Sequence, residues 1–164
     1  MPAPRVLVPL RWSDMDAYGH VNNVQFLRLL EDARVALFAG PRFGVAPEAG
    51  EGVALLEGGL IVARAEIEYR RPLEYRVAPV AVDVRVSEIR GAQFTLGYTV
   101  TDPEGVAGEG VAAPVVYAVA ETTMVPYDLA AKSPRRLLPE EVDVLKSWWD
   151  SPVAFRRRGR EAAR

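Results

Sequence analysis

Only one stretch of this 164-residue chain carries the period of a long helix, and much of the sequence downstream of it carries the period of strands. Between residues 22 and 39 the apolar side chains Phe26, Leu29, Leu30, Ala33, Ala36 and Leu37 recur at three and four, with Gln25, Arg28, Glu31, Asp32 and Arg34 between them. That spacing predicts a helix of about five turns. Asn22 or Asn23 can cap its start, and Gly40-Pro41 supplies a stop. Downstream, residues 60–70, 77–90, 93–101 and 106–121 are rich in β-branched and aromatic side chains and are separated by turn signals such as Arg90-Gly91-Ala92 and Asp102-Pro103-Glu104-Gly105. They read as four strands in a meander. Val80, Val82, Val84 and Val86 alternate with Asp83, Arg85 and Ser87, the pattern of a sheet with one buried face. That face needs a cover, and the long helix is the candidate. The expected class is α+β, an antiparallel sheet packed on one central helix.

Residues 5–11 add a first strand, placed at an edge because Pro9 cannot donate to a ladder. Residues 40–59, rich in glycine with Pro41 and Pro47, read as a loop, with a lid over a pocket as one use for it. Pro139-Glu140-Glu141 opens a shorter helix through Trp149, with Trp148-Trp149 docking it. Residues 150–164, with Arg156, Arg157, Arg158, Arg160 and Arg164 against Glu161, read as a frayed basic tail, solvated or touching phosphates or an acidic partner. The expected organisation is one domain over 1–138, with 139–164 a helix and tail that do not form an independent domain.

Composition removes several function classes. Lys and Arg number 20 against 22 Asp and Glu, a net charge of −2 with the signs mixed, so no basic field favours nucleic acid or anionic lipid. The absence of cysteine removes disulfides, thiolate nucleophiles and sulfur-ligated zinc. No apolar run approaches a membrane span, and residues 1–10 lack the basic start and apolar block of a signal peptide. A soluble cytoplasmic protein is the expectation.

The chemistry is concentrated just ahead of the long helix. Arg11-Trp12-Ser13-Asp14-Met15-Asp16-Ala17-Tyr18-Gly19-His20-Val21-Asn22-Asn23 holds two acids, the only histidine and two asparagines. A helix N-terminus offers unpaired amides and partial positive charge, which suits an oxygen-bearing substrate and favours a charged carboxylate beside it. Asp14 suits hydrogen bonding within its turn. His20 suits a positioning role, and Gly19 removes a side chain where backbone would approach a substrate. Asp14, Asp16 and His20 alone make a weak ligand set, so no metal or other cofactor is expected. Glu31 and Asp32 suit pairing with Arg28 or Arg34 at helical spacing. Arg70 and Arg71, at a strand end, suit either phosphates or solvent.

The run from Asp14 to Phe26, with Ile67-Glu68-Tyr69-Arg70-Arg71-Pro72-Leu73 downstream, resembles the 4-hydroxybenzoyl-CoA thioesterase family of acyl-CoA thioesterases, over about residues 5–127. The resemblance implies the hotdog fold, a curved antiparallel sheet wrapped around a central helix. It implies hydrolysis of an acyl-CoA thioester to a carboxylic acid and free CoA, with CoA part of the substrate. Asp16 takes the catalytic position, as nucleophile or general base, and the Asn23 amide becomes the oxyanion donor. Tyr18, Gly19, His20, Arg70 and Arg90 are the candidates for substrate contact. In one branch of the family the position of Asn23 is a histidine, and the hydroxybenzoyl-CoA branch grips CoA phosphates with a basic cluster in the turn after the third strand. Here only Arg90 matches that cluster, so the grip must differ in part. Sites between subunits are also implied, and an open sheet edge favours pairing, so a homodimer or homotetramer is expected. The alternatives from other classes are a hotdog enoyl-CoA hydratase or dehydratase and a non-catalytic acyl-CoA-binding protein.

Overall fold

The structure, a computed structural model, describes residues 4–38, 59–103 and 114–156. The 40–58 part of the expected loop and the tail beyond 156 lie outside the described residues. The strands are β1 (Arg5–Val8), β2 (Leu60–Tyr69), β3 (Val80–Arg90), β4 (Gln93–Thr101), β5 (Val116–Asp128) and β6 (Ser133–Pro134), and the helices α1 (Asn23–Phe38) and α2 (Pro139–Ser147). One antiparallel sheet runs in the order β1-β3-β4-β5-β2, with β6 added on β5. Its inner face packs on α1, and this is the hotdog fold.

The apolar stripe of α1 is the reason the helix sits where it does. Phe26, Leu29, Leu30, Ala33, Ala36 and Leu37 are all buried, against Val82, Val84, Phe94, Leu96 and Tyr98 of the sheet. Asn22 supplies the cap, its Oδ1 accepting the Val24 amide at 3.0 Å. Val80, Val82, Val84 and Val86 are fully buried, as their alternation requires.

Four expectations need correction. The strands from residue 60 on do not form one meander, because β2 pairs with β5 and lies at the opposite edge from β1. Residues 70–79 therefore carry the chain across the end of the sheet. That crossing is anchored by Arg76, which pairs with buried Asp102 at 2.5 Å and donates to the Tyr117 hydroxyl at 3.0 Å. The last long strand is shifted, running Val116–Asp128 rather than ending at Glu121, while residues 104–113 lie outside the described set. Asp32 pairs with Arg11 at 3.1 Å, not with a helical neighbour, and Arg34 donates to the Tyr98 hydroxyl at 3.3 Å.

The fourth correction concerns the tail. Residues 148–156 form a strap over the outer face of the sheet. Val86 donates to the Trp148 carbonyl and accepts from Asp150, so the strap begins on the free edge of β3. It then crosses β4, where Val153 sits over Gly97, and β5, where Glu121 Oε1 accepts the Val153 amide at 3.0 Å. It ends at β2, where Glu68 Oε2 accepts the Arg156 amide at 2.8 Å. Val153 and Phe155 are 4% and 5% exposed, and that apolar burial, absent from any local reading of a basic tail, holds it down. Trp148 docks against Phe38, whereas Trp149 stays exposed. Among the described residues no helix is long and apolar enough to cross a membrane.

Candidate active site

The motif folds as two consecutive turns that deliver the chain to the start of α1. Trp12–Asp14 makes one turn of 3-10 helix. Asp14, 3% exposed, accepts the Arg11 amide on Oδ2 at 2.8 Å, and its carbonyl accepts the Asn22 amide at 2.8 Å. Asp14 therefore holds the turn against the helix start. The second turn runs from Asp16 to Gly19, closed by the Gly19 amide donating to the Asp16 carbonyl at 3.1 Å, and the Asp16 amide donates to the His20 carbonyl at 2.8 Å. Gly19 has φ of 78°, and a Cβ there would meet nothing within 4 Å, so glycine is needed for its left-handed backbone and not for room.

These turns fix one oxygen of Asp16 and leave the other without a bond. Oδ1 accepts the Tyr18 amide at 2.8 Å, while Oδ2 takes no hydrogen bond from the described residues. At the head of α1 a similar division holds. The Val24 amide is consumed by the Asn22 cap, the Gln25 amide by the Asn22 carbonyl at 2.9 Å, and the Asn23 amide has no acceptor among the described residues. Asp16 and Asn23 line the same cleft, of about 370 Å³, with Val21, Phe26, Tyr69, Arg70, Arg71, Pro72 and Leu73. One carboxylate and one unbonded helix amide thus border a space walled by Val21, Phe26, Pro72 and Leu73.

The far wall comes from the end of β2 and the crossing beyond it. The Val21 amide donates to the Leu73 carbonyl at 2.7 Å, and His20 bridges to Glu74, tying the motif to the crossing. Tyr69 stacks edge-on to Phe26, centroids 5.3 Å apart, and its hydroxyl donates to the Asn23 carbonyl at 2.9 Å. Burial raises the Tyr69 hydroxyl above its ordinary pKa, so it stays a donor. Arg70 and Arg71 are held by their backbone, both amides donating to the Tyr117 carbonyl at 2.7 and 3.2 Å.

Of the residues singled out from the sequence, Asp16, Asn23, Arg70 and Arg71 come together on the cleft. Tyr18, Gly19 and His20 do not line it, and Tyr18 is 85% exposed. Arg90 is at the β3–β4 hairpin, opposite Gln93 and one residue beyond the row Ile89, Phe94, Met124 and Val62 across the sheet, whereas the cleft lies at the Tyr69 end of β2. Within one chain Arg90 is thus at the other end of the sheet, paired with Glu88 at 2.6 Å. Tyr69 and Leu73 were not among the sequence candidates. Their signal was the apolar and aromatic content of the strand ending 67–73, which on its own reads as core. Among the described residues no group of three His, Cys, Asp or Glu could hold a metal ion.

Comparison with known proteins agrees with this fold. No curated protein matches the sequence. Among solved structures, a thioesterase from Thermus thermophilus, complexed with coenzyme A and zinc, superposes with a TM-score of 0.65 at 25% identity, covering 88% of this chain and 93% of that one. A proposed acyl-CoA thioesterase from Xanthomonas campestris gives 0.57 at 29% identity, covering 79% and 96%. The PA5185 protein of Pseudomonas aeruginosa gives 0.68 at 20% identity, covering 91% and 93%, a likeness of fold alone. Residues 10–148, which include the motif, the cleft and most of the sheet, match the profile of the thioesterase-like superfamily, and the chain belongs to that superfamily.

Proposed function

We propose that this protein hydrolyses an acyl-CoA thioester to a carboxylic acid and free CoA. The observation that carries the reading is the pairing, on one cleft, of a carboxylate with one unbonded oxygen and a helix-start amide with no acceptor among the described residues. In this reading the thioester oxygen accepts from the Asn23 amide, where developing negative charge is stabilised by a fixed donor and by the helix dipole. Asp16 drives the attack, as nucleophile or as the base that takes a proton from water. The carbon–sulfur bond then breaks and the sulfur leaves as the CoA thiol, its proton supplied by the water consumed; where Asp16 is the nucleophile that water opens the acyl–Asp16 anhydride, and on either route the acyl group leaves as the acid.

The active unit in this reading is at least a dimer. β2 is ten residues long and forms an open edge carrying Ile61 and Val62, both above 40% exposed. The opposite edge is short, and Trp148 to Asp150 cover part of β3 beyond it. Joining two β2 edges across a two-fold places the start of one β2 beside the end of the other. The β3–β4 hairpin of the partner subunit would then lie at the same end of the joined sheet as the cleft, three strands in from the seam.

Thiol release measured over short, long, branched and aromatic acyl-CoAs tests the reaction. Asp16→Asn should lose most turnover while keeping the wild-type melting temperature. Near-normal hydrolysis by that variant would sink the assignment, and hydration of an enoyl-CoA without thiol release would replace it with a hydratase.

A further inference from the structure

The C-terminal strap reaches one residue of the cleft and holds its charge. Arg70 donates from Nη2 to the Ala154 carbonyl at 2.8 Å, and its Nε lies 2.9 Å from Glu68 Oε1. Glu68 is fixed in turn, because its Oε2 accepts the Arg156 amide at 2.8 Å. The strap that supplies both the carbonyl and that amide is anchored upstream by buried Val153, by its amide bond to Glu121 and by Arg85, which donates to the Ser151 carbonyl at 2.9 Å. Glu68 Oε1 and Arg70 Nε are both buried and neither has a hydrogen-bond partner, so the ion contact between them is what compensates each.

This restraint matters because Arg70 shares its cleft with Asp16. Opposite charges on a space of about 370 Å³ attract, and a released arginine has the length to cross it. Asp16 Oδ2 takes no hydrogen bond from the described residues, yet Arg70 makes no ion pair with it. A guanidinium on Oδ2 would occupy the oxygen that the attack requires. Arg71 lines the same cleft but is exposed, where an ion pair contributes little. The Arg70 side chain is 19% exposed, so water screens its charge far less.

We infer that Glu68 and the Ala154 carbonyl form a tether that keeps Arg70 off Asp16, which makes the C-terminal strap part of the positioning machinery of the site. The inference rests on the proposed reaction, in which Asp16 drives the attack. Glu68 and the strap act through Arg70 and are positioning elements, not catalytic ones. Packing of Val153 on the outer face at Gly97 is thereby transmitted to the cleft through the bond from Arg70 to Ala154.

Glu68→Gln in the full chain tests the tether, because it keeps the shape of the side chain and an oxygen for the Arg156 amide while removing the charge that holds Arg70. With the acyl-CoA that wild type turns over fastest, kcat should fall about tenfold and KM stay within twofold, the scale of one charged hydrogen bond made to Asp16. The double variant Glu68→Gln/Arg70→Gln should then be about tenfold faster than Glu68→Gln, returning to the rate of Arg70→Gln alone. A double variant as slow as Glu68→Gln would overturn the tether, since neither lost packing nor a lost substrate contact is repaired by removing Arg70. So would a kcat within twofold of wild type in Glu68→Gln. The NMR resonance of Arg70 Nε gives a readout independent of turnover. Asp16→Asn should leave it in place in the wild-type background and shift it in the Glu68→Gln background, where the guanidinium has moved to Asp16; no shift there would equally overturn the tether. Absence of thiol release from every acyl-CoA by the wild type would instead overturn the reaction, and the Arg70 resonance would still decide the tether.

Discussion

Tyr69→Phe separates a residue that positions the helix start from one that merely packs. The hydroxyl donates to the Asn23 carbonyl at 2.9 Å, while the ring meets Phe26 edge-on at 5.3 Å, and phenylalanine keeps the second contact and loses the first. A neutral hydrogen bond contributes about 1 kcal/mol net, and Tyr69 is 42% exposed, so water can replace part of it. The stability loss should be about 0.5 kcal/mol, a fall of about one or two degrees in Tm for a chain of this size. The kinetic loss should be larger than that shift suggests. An oxyanion donor contributes about 3 kcal/mol to a barrier, and loosening the peptide next to it by a third of that value slows the reaction about fivefold. Thiol-release kinetics should therefore show kcat down about fivefold with KM within twofold. Because burial raises the hydroxyl's pKa, the ratio of variant to wild type should stay flat with pH up to the ordinary tyrosine value of 10.0. Tyr69→Ala, which also loses the ring pair, should add about 1 kcal/mol of instability. Full kcat in Tyr69→Phe would refute the idea that this hydroxyl positions the Asn23 amide.

Asp102→Ala leaves Arg76 and the Tyr117 hydroxyl without their shared buried partner and should cost about 3 kcal/mol in urea unfolding, with weaker substrate binding because the Tyr117 carbonyl holds Arg70 and Arg71. Gly97→Val puts a Cβ 2.9 Å from Val153 Cγ2 and should destabilise by about 1–3 kcal/mol, with faster chymotryptic cleavage after Phe155 as the strap lifts. Glu141 is buried, which acts to raise its pKa, but the Arg135 guanidinium and the Leu138 amide outweigh burial and hold it below 4.5. The unfolded chain then takes up the proton first, so this pair stabilises at neutral pH and is lost as pH falls below that value. Glu141→Gln should cost about 1–3 kcal/mol at pH 7 and flatten the stability curve on the acid side, as urea midpoints at pH 7 and 3 would show.

What the sequence made legible was local. The stripe from Phe26 to Leu37, the Asn22 cap and the valines of β3 each depend on neighbours within one or two turns or along one strand, and the structure has them as the pattern requires. The order of strands was not local. Nothing within 60–69 distinguishes pairing with β3 from pairing with β5, because both offer an apolar inner face, and the choice is fixed by the crossing that Arg76, Asp102 and Tyr117 pin. For the same reason the candidate site was half visible. Asp16 and Asn23 sit seven residues apart in one motif, but Tyr69 and Leu73 reach them only because that crossing brings the end of β2 to the helix start.

The two largest misreadings share one cause. A strand placed to end at Glu121 and a tail placed in solvent look like separate errors, one of register and one of order. Both turn on Glu121 and Gly97, whose neighbours in space lie far along the chain. An acid in the middle of a strand suggests its end, since a buried carboxylate without a partner is costly. Glu121 is 6% exposed, and its partner is the Val153 amide, thirty-two residues further on. A glycine inside a strand, here flanked by Leu96 and Tyr98 of the core, marks a place where another piece of backbone or side chain comes close. Val153 is that piece. The two exceptions to the strand pattern are therefore the footprint of the strap on the outer face. The physics that carries β5 through Glu121 to Asp128 also carries the C-terminal chain across to Glu68 and Arg70, at the edge of the cleft.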